Sequence, residues 1–164
     1  MFYCYTYNYI VREVGLHFLE NRKIKLRKLF ISKDLKIDPI KINTMGEFCN
    51  FVSDELEISD PFTVYVVSNR ENHGISTTAV YHIGNNLVKV YGKNRALVDI
   101  MRSIAHEMTH MMQDQNNRLI GDIPDIGGEI EDEANSLAGS LIKKFAKNRE
   151  NKGIIYESIF RKLL

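Results

Sequence analysis

The stretch best able to do chemistry is IAHEMTHMMQ, residues 104–113, in which two histidines and a glutamate form the pattern H-E-x-x-H. On a helix, His106 and His110 stand one turn apart on the same face, so both can direct a ring nitrogen at one cation. Glu107 points to the side of that cation, where it can take a proton from a bound water. The pattern therefore predicts a catalytic zinc site with its own general base.

H-E-x-x-H is short and also occurs by chance, so the position of the histidines on the helix matters. Apolar residues form a stripe along one side of this helix: Leu97, Ile100, Met101, Ile104, Met108 and Met111. The histidines lie on the other side, with Asp99 and Gln113 beside them. We therefore expect that the histidines are not core residues. Asp99 and Gln113 are candidates to orient them, although a free surface carboxylate is the simpler account of Asp99.

A catalytic zinc site needs a third protein ligand, which must come from another element. The loop over residues 116–128 can return the chain to GGEIEDEANSLAGSLI, residues 127–142. In this helix Glu133 lies on the shoulder of the expected apolar stripe, Glu129 lies further round, and Asp132 points to solvent. Glu133 is the preferred third ligand and Glu129 the second choice. The stripe itself consists of Ile130, Ala134, Leu137, Leu141 and Phe145.

The run HEMTH followed by EDEANSLAG resembles the gluzincins, which are zincin metallopeptidases with a glutamate as third ligand. It is similar to the ImmA/IrrE-type regulatory proteases and to small phage-encoded proteins of this class. The resemblance covers roughly residues 80–145. It implies a zincin-like fold, a Zn²⁺ ion held by His106, His110 and Glu133, and hydrolysis of a peptide or protein substrate with Glu107 as general base. The shorter spacing from His110 to Glu129 also occurs in gluzincins, so Glu129 remains an alternative third ligand.

The same resemblance implies that the strand before the catalytic helix forms a wall of the cleft, where substrate backbone can pair by strand addition. The candidate is NLVKVYG, residues 86–92, whose alternation is typical of a strand near a sheet edge. The residue that stabilises the oxyanion is not identified from the sequence. For four aromatic or histidine side chains near the sheet, ordinary packing or exposure is the simpler expectation: His73, Tyr81, His82 and Tyr91.

The elements that position these residues predict one α+β domain, residues 1–164, with an N-terminal helical part over 1–60 and the sheet and catalytic helices over 61–147. We expect a helix over residues 9–31 and a second from Thr44, which forms a capping box with Glu47, to about Ile58. A small, mainly antiparallel sheet follows, and then helices. The expected strands are 62–68, 76–84 and 86–92, with a turn at Gly84–Asn86, and the expected helices are 94–115, 129–147 and about 154–163.

Composition narrows the range of partners. A formal net charge of +1 gives no general reason to expect nucleic acid, and no apolar stretch approaches the roughly 20 residues that span a bilayer. Residues 21–36 are rich in Lys and Arg, which is typical of a solvated helix end but also suits docking to an acidic partner. Cys4 and Cys49 lack any C-x-x-C spacing, which favours a reducing compartment over a disulfide framework or a thiolate site.

Three functions are compatible with these observations. The preferred one is a zinc metallopeptidase in the cytoplasm, of the host cell if the protein is phage-encoded, although association with a virion is also compatible. The second is a catalytically silent, zincin-fold regulatory or protein-binding module, and a third and weaker one is binding of nucleic acid through residues 21–36. The intact Glu107 favours the enzyme, because a purely structural site has no use for that carboxylate.

Overall fold

The computed structural model describes residues 5–6, 9–13, 27–119 and 128–160. These residues form an α+β fold with one sheet and four helices, in agreement with the expected class. The strands are β1 (Tyr5–Thr6), β2 (Tyr9–Glu13), β3 (Arg27–Ser32), β4 (Phe62–Val67), β5 (Ala79–His82) and β6 (Leu87–Tyr91). The helices are α1 (Pro39–Glu55), α2 (Leu97–Gln115), α3 (Glu129–Phe145) and α4 (Arg149–Phe160).

The sheet is mixed, with the strand order β1-β2-β3-β4-β6-β5. Strands β3, β4 and β6 run parallel in its centre, while β2 and β5 are antiparallel to their neighbours. The expectation of a mainly antiparallel sheet is therefore wrong at the centre. The reason is that α1 connects β3 to β4, and a crossover of this kind returns the chain in the same direction.

The expected helix over residues 9–31 is also wrong where the structure describes it. Residues Tyr9–Glu13 and Arg27–Ser32 are paired strands, and residues 14–26 lie outside the described part. Helical spacing of a few apolar residues misled the prediction. In β3 the burial instead alternates with a period of two, since Leu29 and Ile31 are buried and their neighbours are only partly so.

Helix α1 begins five residues before the predicted cap. Asp38 caps it by accepting a hydrogen bond from the Ile40 N–H at 2.8 Å, and Pro39 takes the first helical position, where its missing N–H costs nothing. Thr44 lies inside the helix, where its hydroxyl donates to the Ile40 carbonyl. The proposed capping box at Thr44 and Glu47 is therefore wrong.

The basic segment is not a helix end in its described portion. Residues 27–32 form β3, and a 3-10 turn follows over Lys33–Leu35. Arg27 reaches α1, where it donates to Asn50 at 3.1 Å and to Asp54 at 2.8 Å. At least this one positive charge therefore holds a strand against a helix, while residues 21–26 lie outside the described part.

The second half agrees closely with the sequence pattern. Strands β5 and β6 pair through a turn in which Gly84 (φ 75°) and Asn86 (φ 48°) take the left-handed conformation. Every residue of the apolar stripe expected in α2 is buried. These side chains pack in one core with Val64, Val66, Val88 and Val90 of the central strands. Because this stripe fixes the rotation of α2 on the sheet, the histidine side of the helix is turned away from the core.

The C-terminal helix of the described residues differs from the prediction in where it begins. The last helix, α4, covers Arg149–Phe160, so it begins five residues earlier than predicted. In the described ranges, none of the helices is long and apolar enough to cross a membrane.

Candidate metal centre

Helix α2 directs both histidines of the H-E-x-x-H pattern at the same point. The Nε2 atoms of His106 and His110 lie 3.1 Å apart. Their side chains are 21% and 12% exposed, respectively, so the point they share is close to the surface without being open on all sides. This is the arrangement that the i, i+4 spacing predicts.

The third member of the cluster is Glu131, which comes from the first turn of α3. Its Oε1 lies 3.0 Å from Nε2 of His110, and its Oε2 lies 3.3 Å from Nε2 of His106. Ligand atoms placed about 2.1 Å from a tetrahedral ion lie roughly 3.4 Å from one another. The separations of these three groups are close to that value, so the cluster could hold a metal ion.

A buried amide orients His110. The Oε1 atom of Gln113 lies 2.8 Å from Nδ1 of His110. The amide nitrogen of Gln113 donates to the Ile130 carbonyl at 3.0 Å and to Glu133 Oε2 at 2.8 Å, so its oxygen is left to accept. His110 therefore carries its proton on Nδ1 and presents the lone pair of Nε2 to the cluster, as a metal ligand must.

His106 has its own partner on α3, since its ring is hydrogen-bonded to the side chain of Asn135. Burial and the neighbouring His110 lower the pKa of His106, against the opposing effects of Glu131 and Asn135. A lowered pKa favours the neutral ring, which is the form that binds a cation. Both histidines thus have a hydrogen-bond partner outside the cluster.

The two glutamates chosen from the sequence lie elsewhere. Glu133 accepts the hydrogen bond from Gln113 and forms an ion pair with Arg118 at 2.8 Å. Glu129 is exposed at the start of α3. The structure therefore brings Glu131, rather than the expected Glu133, to the histidines. Glu133 is connected to His110 only indirectly, through its hydrogen bond with Gln113.

The rotation of α3 explains this difference. Its buried residues are Ala134, Ala138, Leu141, Ile142 and Phe145. The predicted stripe passed instead through Ile130 and Leu137, which are only partly buried. Glu131 lies three and seven residues before Ala134 and Ala138, so it shares their face. Two alanines four residues apart allow close packing of helices, and that pattern was the available signal for Glu131.

Glu107 lies beside the cluster and is mostly buried. Burial raises its pKa to about 8, and the nearby charge of Glu131 adds to this, while a hydrogen bond from the Tyr81 backbone N–H acts in the opposite direction. The carboxyl group of Glu107 therefore lies between the cluster and strand β5. This is the position expected of a group that exchanges a proton next to a metal site rather than binding the metal.

Strand β5, rather than β6, lies at the edge of the sheet. Because β6 pairs with β4 on one side and with β5 on the other, the expected cleft wall at residues 86–92 has no unpaired edge, and that expectation is wrong. The hydrogen bond from the Tyr91 N–H to the Thr78 carbonyl shows which residues of β5 bond to β6, because hydrogen-bonded and non-hydrogen-bonded pairs alternate along an antiparallel ladder. It leaves the backbone groups of Ala79 and Tyr81 pointing away from β6.

The remaining candidates from the sequence are not brought to the cluster. The Tyr81 hydroxyl donates to Asp114, near the far end of α2, and Tyr91 lies under the Arg70 guanidinium. Asp99 is exposed in the first turn of α2, about 10 Å along the axis from His106. His73 lies in the 3-10 turn Glu71–His73, and burial and Lys89 lower its pKa and that of His82.

The chain was compared with models of known protein families and with curated proteins. Neither comparison gave a match.

Proposed function

We propose that this protein is a zinc-dependent hydrolase of peptide bonds, in which His106, His110 and Glu131 hold the ion and Glu107 is the general base. Glu131 replaces Glu133 as third ligand because its carboxylate lies within 3.3 Å of both Nε2 atoms. The observation that carries the proposal is the position of Glu107. Glu107 lies beside the cluster that could hold a metal ion, without being one of its three members, and it contacts the edge strand β5.

The donor set favours zinc among the common metals. Two imidazole nitrogens and one carboxylate, with at least one position left open, are typical of catalytic zinc sites. The same three donor types also form the site of non-haem iron oxygenases. A buried carboxyl group next to the cluster has a direct role in hydrolysis and none in oxygen activation, and for that reason we prefer zinc.

The residues of the chain divide the chemistry between them. A bound zinc ion would polarise the scissile carbonyl and lower the pKa of the attacking water. Glu107 accepts the proton of that water and then delivers it to the leaving amine. Gln113 and Asn135 keep the two rings in the orientation that binding requires. The partly buried site limits the access of bulk water to these groups.

Strand β5 supports a peptide as the substrate. The outward-facing N–H and C=O of Ala79 can pair with an extended chain laid along the edge of the sheet. Such pairing reads backbone rather than side chains, so an extended segment of a peptide or protein suits this edge. We place this activity in a reducing cytoplasmic compartment, in keeping with the free, buried thiol of Cys49.

A catalytically silent protein-binding module is the second candidate. The edge of β5 is the observation in its favour, because strand addition to this edge requires neither a metal nor Glu107. The two functions differ in one measurable respect. Only the enzyme turns over a peptide, and only the enzyme loses that turnover when Glu107 is replaced.

The experiment combines metal analysis with a peptide-cleavage assay on the wild type and Glu107→Gln. We expect about one zinc per chain in both proteins, and cleavage of unstructured peptides by the wild type alone. Zinc in both proteins without cleavage in either would favour the binding module. Iron in place of zinc, or no metal after incubation with zinc, would overturn the proposal.

A further inference from the structure

Helix α2 makes a second contact with the edge strand, two turns beyond Glu107. The Oδ2 atom of Asp114 accepts a hydrogen bond from the Tyr81 hydroxyl at 2.6 Å and another from the Gly84 N–H at 2.9 Å. One carboxylate thus holds both a side chain of β5 and the turn that follows it. Burial and Asp114 raise the pKa of Tyr81 well above its ordinary value, so the hydroxyl keeps its proton and stays a donor.

The same tyrosine is held at its backbone. Its N–H points away from β6 and donates to the carboxyl group of Glu107. Glu107 and Asp114 are seven residues apart, which places them two turns apart on one face of α2. Two carboxyl groups of the helix therefore hold one residue of the edge strand, one through its amide and the other through its hydroxyl.

Strand β5 needs such support because, among the described residues, β6 is its one strand neighbour. It is four residues long, and edge strands of this length open easily when nothing else holds them. The position of the Tyr81 amide relative to the histidines thus depends on how firmly β5 is held against α2. The bond from the hydroxyl to Asp114 is the contact best placed to do this.

We infer that Asp114 is a positioning residue, which acts through Tyr81 to hold the edge strand in register with the candidate metal centre. By fixing Tyr81, it keeps the amide of that residue on Glu107 and keeps the outward groups of Ala79 aligned for an extended substrate. The kinetic consequence rests on the proposed function. The structural consequence, which concerns the Tyr81 amide, does not.

The first test measures amide hydrogen exchange in Tyr81→Phe and Asp114→Asn. Both replacements keep the side-chain size and weaken the contact. We expect the amide of residue 81 to exchange about tenfold faster or more, while the amide of Val80, which pairs with Lys89 of β6, is unchanged. Asp99→Asn, which replaces an exposed carboxylate on the same helix, is the matched control and should match the wild type.

Two exchange results would overturn the inference. One is an unchanged residue 81 amide in both variants, because β5 would then keep its place without the contact. The other is equal acceleration at residues 80 and 81, because the contact would then support the whole fold rather than the position of the edge. A thermal melt of each variant shows whether such a general loss has occurred.

The second test measures zinc content and peptide cleavage in the same variants. We expect the zinc content to stay at the wild-type value and kcat/KM to fall about tenfold or more, with Asp99→Asn unaffected. Wild-type kcat/KM in both variants, or loss of zinc, would overturn the positioning role. If the wild type cleaves no peptide, the proposed function fails, and the exchange test still decides whether Asp114 holds the strand.

Discussion

Helices α2 and α3 contribute to the candidate metal centre in different ways. Helix α2 supplies both nitrogen donors and the adjacent carboxyl group from two consecutive turns, so their relative positions follow from helix geometry. Helix α3 supplies one carboxylate and one orienting amide, and their positions depend on how α3 is rotated on α2. Because neighbouring residues on a helix are about 100° apart, Glu131 and Glu133 point in nearly opposite directions, and the rotation of α3 decides which of the two faces the histidines.

The packing between the two helices fixes that rotation. Ala134 and Ala138 are buried on α3, and Arg102 of α2 lies near Gly139. Small side chains let the helices approach closely, and Glu131 lies on the same face one turn before them. The comparison indicates that the part of a site held within one helix is robust, whereas the part held between helices is sensitive to packing.

The largest effect should come from the third ligand. In Glu131→Gln we expect zinc affinity to fall about a hundredfold to a thousandfold, since structural zinc binds with about 10–16 kcal/mol shared among four ligands. In Glu133→Gln we expect a loss of about tenfold or less, because the new amide can still bond to Gln113. Competition with a chromophoric chelator measures both. A larger loss in Glu133→Gln would mean that α3 is rotated and that the sequence-based choice of ligand is correct.

The next effect concerns the buried carboxyl group of α2 in the metal-free protein. The folded pKa of Glu107 is raised from 4.5 to about 8, so the folded state binds its proton more tightly than the unfolded state does. This group's contribution to stability is thus lost as pH rises from about 4.5 to 8. At pH 8 we expect metal-free Glu107→Gln to be more stable than the wild type by about 4 kcal/mol, and equally stable near pH 4.5.

Urea unfolding at several pH values, with a chelator present, measures that difference. Asp99→Asn is the control, since it removes an exposed carboxyl group from the same helix and should follow the wild type. A constant difference between Glu107→Gln and the wild type across this range would contradict the prediction.

A smaller effect separates the two orienting amides. Gln113 of α2 is fully buried and makes three hydrogen bonds, whereas Asn135 of α3 is exposed. Loss of such partners typically reduces metal affinity by about 10–100-fold. In the chelator assay, we expect Gln113→Met to reduce zinc affinity by about 100-fold and Asn135→Ala to reduce it by about tenfold. The opposite order would indicate that α3 orients the site more strongly than α2 does.

Two glycines, one before α2 and one within α3, should affect the stability of the fold rather than metal binding. A Cβ at Gly92 would lie 2.6 Å from Cγ1 of the buried Val66, so Gly92→Ala should reduce the free energy of unfolding by about 1–3 kcal/mol. A Cβ at Gly139 would meet Arg102 at an ordinary 3.5 Å, so Gly139→Ala should increase it by about 0.5–1 kcal/mol. Thermal or urea unfolding measures both, and a stabilised Gly92→Ala would contradict the close packing before α2.

The sequence predicted the second half of the fold more accurately than the first. Strands β4 to β6 and helices α2 and α3 follow strong periodic patterns, and the turn at Gly84–Asn86 has residues that accept a positive φ. In the first half, Ile10 has helical spacing to later apolar residues but belongs to strand β2. Pairing with β3, a partner distant in sequence, decided that structure, and periodicity within a short window carries no information about such a partner.

The sequence by itself determined what lies within one helix: the two histidines on one face, Glu107 beside them, and the apolar stripe that turns them away from the core. Their spacing along the chain fixes these relations, since 3.6 residues make one turn. Only the tertiary structure selected Glu131 over Glu133, placed β5 rather than β6 at the edge, and joined Tyr81 to Glu107 and Asp114. Those choices depend on how separate elements pack and pair, and the alanine face of α3 and the parallel centre of the sheet decide them together.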